Sequence, residues 1–103
     1  MPEFLRVASV SEVPPGEMMM VEVEGQEVVL ANLDGDIVAF GNECTHRGGP
    51  LGEGILMGDV VECPWHSGQF NVRSGEVVGS PPDSPMRTYE VRVEGDDVSV
   101  AKG

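Results

Sequence analysis

The sequence is short of positive charge. Among its 103 residues, 6 lysines and arginines face 18 aspartates and glutamates, a formal net charge of −12. Phosphate neutralisation dominates nucleic-acid affinity, so this balance excludes a nucleic-acid partner. It equally excludes an anionic lipid surface. No apolar run approaches the roughly 20 residues of a membrane-spanning helix. Met1–Val10 carries no basic segment followed by a long apolar stretch, so the expected location is the cytoplasm. Aromatic residues make up only 5% of the chain, and there is no internal repeat or low-complexity segment. A 10–15-residue helical period is missing as well, which argues against α/β.

What is present is a chain of one-domain length. A chain this size buries roughly two thirds of the surface its unfolded form exposes, which leaves little margin and makes a bound metal useful to stability. Gly 14 and Pro 8 mark many turns. Between them lie short stretches rich in β-branched residues, which read as strands: Phe4–Ser9, Met18–Glu24, Gln26–Leu33 and Asp36–Phe40, then Met86–Glu94 and Val98–Ala101. Ser11–Gly16 reads as a loop. Gly25, Asp34-Gly35 and Gly95-Asp96-Asp97 read as turns between paired strands. Met86–Glu94 places Tyr89, Val91 and Val93 on one face. Met18-Met19-Met20 reads either as a sticky surface or as a strand alternating between core and surface, and the strand reading is preferred.

Glycine concentrates between residues 41 and 80, where only Asp59–Cys63 and Gln69–Val72 resemble strands. The expected fold is all-β: an antiparallel sandwich or barrel base formed by both ends of the chain (1–41 and 83–103), with a loop-rich segment (42–82) inserted between them.

That insert holds every cysteine and histidine of the chain, as two tight pairs: Cys44-Thr45-His46 and Cys63-Pro64-Trp65-His66, with sixteen residues between His46 and Cys63. Each pair can bring a thiolate and an imidazole to one metal centre from one loop. Other readings are incidental placement, a Cys44–Cys63 disulfide, or a structural zinc with two Cys and two His ligands. Zinc fingers pair Cys with Cys and His with His, whereas here each loop supplies one of each. In a [2Fe–2S] centre where two histidines replace two cysteines on one iron, such mixed loops are what the cluster needs.

On these residues the sequence resembles the Rieske-type [2Fe–2S] proteins. The resemblance implies the fold described above, with one cluster per chain. It implies that Cys44 and Cys63 hold a buried inner iron and that His46 and His66 hold an outer iron near solvent. Neutral imidazoles in place of thiolates remove negative charge from the cluster and raise its potential above that of all-Cys ferredoxins.

Respiratory members of the family carry two further cysteines in the ligand loops. They also carry a Ser and a Tyr whose hydroxyls donate to sulfur. The matching positions here are Gly49 and Trp65, and Gly68 and Phe70. Without those donors the added electron is less stabilised, so a low potential of about −150 mV is expected. The chain looks like the small ferredoxins that feed aromatic-ring dioxygenases. The resemblance thus implies a non-catalytic, monomeric one-electron carrier between a flavin-containing reductase and a terminal oxygenase. A small Rieske-like subunit of a nitrite reductase and a zinc-stabilised binding module are the alternatives.

Pro81-Pro82 with Pro85 reads as a loop covering the cluster or as a rigid connector. Trp65 reads as part of a docking face or as packing, and Arg47 as a steering charge or a plain exposed arginine. The acidic excess reads as a solvated face that would also suit a basic docking partner.

Overall fold

The computed structural model describes residues 3–42, 51–64, 68–79 and 87–101. Its strands are β1 (Phe4–Ser9), β2 (Met18–Val23), β3 (Gln26–Leu33), β4 (Asp36–Gly41), β5 (Ile55–Met57), β6 (Val60–Glu62), β7 (Gln69–Asn71), β8 (Val77–Gly79), β9 (Thr88–Tyr89), β10 (Val91–Glu94) and β11 (Asp97–Ala101). The only helical pieces among the described residues are two 3-10 turns, Val10–Glu12 and Leu51–Glu53. All pairings among the described residues are antiparallel, in three sheets ordered β1-β11-β10, β2-β3-β4-β9 and β5-β6-β7-β8. The fold is all-β, as the turn-punctuated sequence predicts.

The hairpins follow from local chemistry. Asp34 and Gly35 take φ of 58° and 110°, and Glu24 and Gly25 take 49° and 82°. Two successive residues at positive φ make the turn whose twist matches that of the flanking strands. Asn32 reinforces the first of these turns. Its side chain is 3% exposed, accepts from the Gly35 N–H and donates to the Val13 carbonyl, both at 2.7 Å.

β3 organises the core. Its even residues Val28 and Leu30 pack with Val23, Ala39, Val98 and Val100, against the sheet built from the two ends of the chain. Its odd residues Val29, Ala31 and Leu33 pack with Phe40, Leu51, Val61, Phe70 and Val72, against the β5–β8 sheet. A half-buried strand alternates apolar and polar residues, and one buried on both faces is apolar throughout. Val28–Ala31 is such a run, and all four residues are fully excluded from solvent. Burying each Val or Leu contributes about 1.5–3 kcal/mol relative to leaving it exposed.

Three sequence readings are corrected here. The stretch read as one strand up to Glu94 divides at Glu90: β9 joins the β2-β3-β4 sheet and β10 joins β11. The Glu90 carbonyl accepts from Ala101 N–H at 3.0 Å as the chain changes sheet. Tyr89 and Val91 pack in one core, while Val93 is 46% exposed. Met86 lies outside the described residues. Second, the segment read as loop-rich contains a four-stranded sheet, because β5 and β8 are strands too short to show a period. Third, Met18-Met19-Met20 lies in a strand as preferred, but without the expected core–surface alternation: Met18 and Met19 pack against opposite cores, and Met20 is exposed.

Candidate metal centre

Of the four residues singled out as ligands, Cys63 is described; Cys44, His46 and His66 lie outside the described residues. So do Arg47, Gly49, Trp65 and the prolines at 81, 82 and 85. Among the described residues no group of three or more His, Cys, Asp or Glu side chains gathers at one point.

The supports of both loops that carry the candidate residues are in place. The second loop is the tip of the β6–β7 hairpin. Glu62 pairs with Gln69, and their side chains are joined by Gln69 Nε2 donating to Glu62 Oε1 at 3.1 Å. One residue further, the Cys63 N–H donates to the Gly68 carbonyl at 2.7 Å and closes the loop base. Cys63 is 2% exposed and packs in the same core as Leu51, Val61 and Phe70. Phe70, two residues beyond Gly68, is fully buried and carries no hydroxyl.

The first loop leaves the sheet at the end of β4 and returns as the 3-10 turn Leu51–Glu53. Asn42 closes it. Its carbonyl accepts from Leu51 N–H and its Oδ1 accepts from Gly52 N–H, both at 2.8 Å. Its own N–H donates to the Glu27 carbonyl at 3.1 Å, and its Nδ2 donates to Glu27 Oε1 at 3.2 Å.

The two loop bases touch. Gly54 lies so close to the backbone of Glu62 that a Cβ there would overlap the Glu62 carbonyl oxygen. Beyond them the Gly41 N–H donates to the Arg87 carbonyl at 2.9 Å, and Gln69 pairs with Gly79. The residues flanking 43–50, 65–67 and 80–86 therefore form one continuous line of contacts. This arrangement fits a bridged two-iron cluster. A buried thiol stands in an apolar surround, at the root of a loop whose next chemistry-bearing residue is a histidine, beside the root of a second loop of the same composition.

Comparison with known proteins agrees. The family model described as Rieske [2Fe-2S] domain matches residues 3–90.

The chain belongs to the Rieske [2Fe–2S] family.

It is 47% identical over 98 residues to the biphenyl dioxygenase ferredoxin subunit of Pseudomonas sp. (strain KKS102), covering 94% of this chain and 90% of that one. Among solved structures it is similar to the ferredoxin of carbazole 1,9a-dioxygenase from Nocardioides aromaticivorans IC177, with a TM-score of 0.93, 32% identity, and coverage of 97% of this chain and 98% of that one. It is also similar, with a TM-score of 0.91, 36% identity and coverage of 96% and 93%, to a chain in a complex of reduced oxygenase and oxidized ferredoxin in carbazole 1,9a-dioxygenase. This Rieske chain is an electron-transfer protein of the dioxygenase-ferredoxin type, carrying a Rieske-type [2Fe–2S] cluster, and is not itself a catalytic enzyme. Its relatives favour neither a nitrite reductase subunit nor a zinc module. No helix among the described residues is long and apolar enough to cross a membrane.

Sequence reasoning missed Asn42 and Gly54, and it singled out Gly68 for its absent hydroxyl but not for the carbonyl that closes the second loop. Their roles depend on segments distant in sequence, and no local signal separates them from ordinary loop residues.

Proposed function

We propose that Cys44, His46, Cys63 and His66 hold the cluster, one per chain, in an insert spanning 42–82 between base segments 1–41 and 83–103. Each loop supplies one thiolate to the inner iron and one imidazole to the outer iron. A cluster held there would supply one-electron chemistry. The chain's own residues give it a dry, fixed seat. Cys63 is buried beside Leu51, Val61 and Phe70, and each loop is clamped at its base by backbone hydrogen bonds.

The observation that carries this reading is the contact between the two loop bases at Gly54 and Glu62. It joins a loop containing Cys44 and His46 to one containing Cys63 and His66.

In this reading the monomer, in the cytoplasm, shuttles electrons from a flavin-containing reductase to a terminal oxygenase. A complex of ferredoxin with oxygenase in the carbazole system supports the second half of that route. The test is low-temperature EPR on anaerobically purified, dithionite-reduced protein, with iron and acid-labile sulfide assayed on the same sample. Two irons and two sulfides per chain, with a rhombic signal of average g below that of all-Cys ferredoxins, is the expected result. One zinc per chain with no iron overturns it.

A further inference from the structure

We infer that Gly54 is a positioning residue for the cluster: its missing side chain sets the separation of the two ligand loops. The inference rests on the ligand assignment just proposed and adds to it a residue that is neither a ligand nor beside one in sequence.

Glycine is required at some positions for its backbone conformation and at others for space. Gly16, Gly25, Gly35, Gly58, Gly75 and Gly95 take positive φ, and Gly54 does not. A left-handed φ is therefore not what calls for glycine here. Space is: a Cβ would overlap the Glu62 carbonyl oxygen and come within 3.1 Å of the Glu62 carbonyl carbon and 3.2 Å of the Leu51 carbonyl oxygen. These are backbone atoms, which cannot swing aside as a flexible side chain can. The hydrogen that replaces Cβ points at the Glu62 oxygen, as in the Cα–H···O contacts found between adjacent strands.

The position of this contact gives it a role. Gly54 N–H donates to the Leu51 carbonyl at 3.0 Å, so it belongs to the turn that ends the first loop. That turn is fixed at its other side by Asn42, through Leu51 and Gly52. Glu62 immediately precedes Cys63 and is locked to Gln69 across the root of the second loop. A methyl group at residue 54 therefore has one outlet: the turn and β6 must separate. Both loop roots ride on those two elements, and a two-iron cluster has a fixed span between its thiolates and its imidazoles.

The test compares Gly54→Ala with Gly58→Ala in the holoprotein. Gly58 lies in the turn of the same β5–β6 hairpin, at φ 59° with open space around its Cβ position. Its substitution strains the backbone without separating the loops. Iron and sulfide per chain, EPR g-values, midpoint potential and the rate of cluster loss to a chelator are measured for both.

The expected result is at least a fivefold faster loss of cluster in Gly54→Ala, with shifted g-values in the fraction that stays loaded. Gly58→Ala should keep wild-type g-values and potential, whatever its thermal midpoint. Full loading and unchanged g-values and loss rate in Gly54→Ala overturn the inference. So does equal loss in both variants, which would make it a general effect of hairpin stability.

Should Gly54→Ala give no folded protein, Asn42→Ala and Glu27→Ala replace the pair. The first removes the acceptor that holds Gly52 and should speed cluster loss at least fivefold; the second removes only an exposed outer partner and should not. Equal behaviour of the two overturns the inference. A wild-type chain without iron would instead remove the ligand assignment, so the two failures are distinct.

Discussion

Val28 and Val29 are neighbours in β3, both are fully excluded from solvent, and they belong to different cores. Val28 faces the sheet made from the chain ends, with Val98 and Val100. Val29 faces the β5–β8 sheet, with Leu51, Val61 and Phe70. The wall between the two is one strand thick, so the sheet that supports the candidate loops shares its foundation with the rest of the molecule.

Truncations on the two sides should separate stability from cluster retention. Leu30→Ala and Leu51→Ala each remove a fully buried side chain and should each cost about 2–5 kcal/mol. Leu30 lies on the far side of β3, whereas Leu51 packs in the core that contains Cys63. Denaturant titration should therefore give similar losses. Chelator-driven bleaching should be faster for Leu51→Ala alone. Equal bleaching would mean that the cores are energetically one.

Replacing a proposed ligand should abolish the cluster. His66→Ala and Cys63→Ser are each expected to leave no iron and no acid-labile sulfide after purification. Cluster binding is coupled to folding, so the thermal midpoint of each should fall to that of the cluster-free wild type. An intact cluster in either variant would refute its assignment as a ligand.

The potential should be low. Gly68 has no side chain and the buried Phe70 has no hydroxyl to donate to a cluster sulfur. Nothing from these two side chains stabilises the added electron, and a midpoint near about −150 mV is expected, at the bottom of the range for two-histidine centres. A redox titration giving a value well above zero would contradict this.

Electron transfer to a basic partner should slow as salt rises. The arginines among the described residues face their own chain: Arg6 pairs with Asp97, Arg73 with Asp36 and Asp59, and Arg87 and Arg92 lie over the rings of Tyr89 and Phe4. The net charge of −12 is thus spread as surplus carboxylate. Screening tightens from about 10 Å at 0.1 M to about 3 Å at 1 M ionic strength. Stopped-flow rates should fall by about an order of magnitude between dilute and molar salt. A rate indifferent to salt would remove any steering role for this charge.

Much of the fold was legible because its signals are local. Asp34-Gly35 can make its turn without help from elsewhere, since two positive φ values satisfy the geometry. Phe4–Ser9 and Gln26–Leu33 occupy the spans their composition marks out. The break at Glu90 was not legible, because Met86–Glu94 alternates well enough for one strand. What divides it is a choice of sheet, and the Glu90 carbonyl at the break already bonds to Ala101 of β11. β5 and β8 escaped for a related reason: three residues carry no period, and their partners β6 and β7 make them strands.

The candidate centre divides the same way. Residue type and spacing alone marked Cys44, His46, Cys63 and His66, because thiolate and imidazole chemistry belongs to the side chain and short spacings confine each pair to one loop. Tertiary structure decided what brings those loops together. The fit of Gly54 on Glu62, the grip of Asn42 on Leu51 and Gly52, and the burial of β3 on both faces each join segments that meet only when the chain folds. Local sequence fixes backbone angles and donor atoms. Distances between remote segments are fixed by packing, and no window of the sequence contains them.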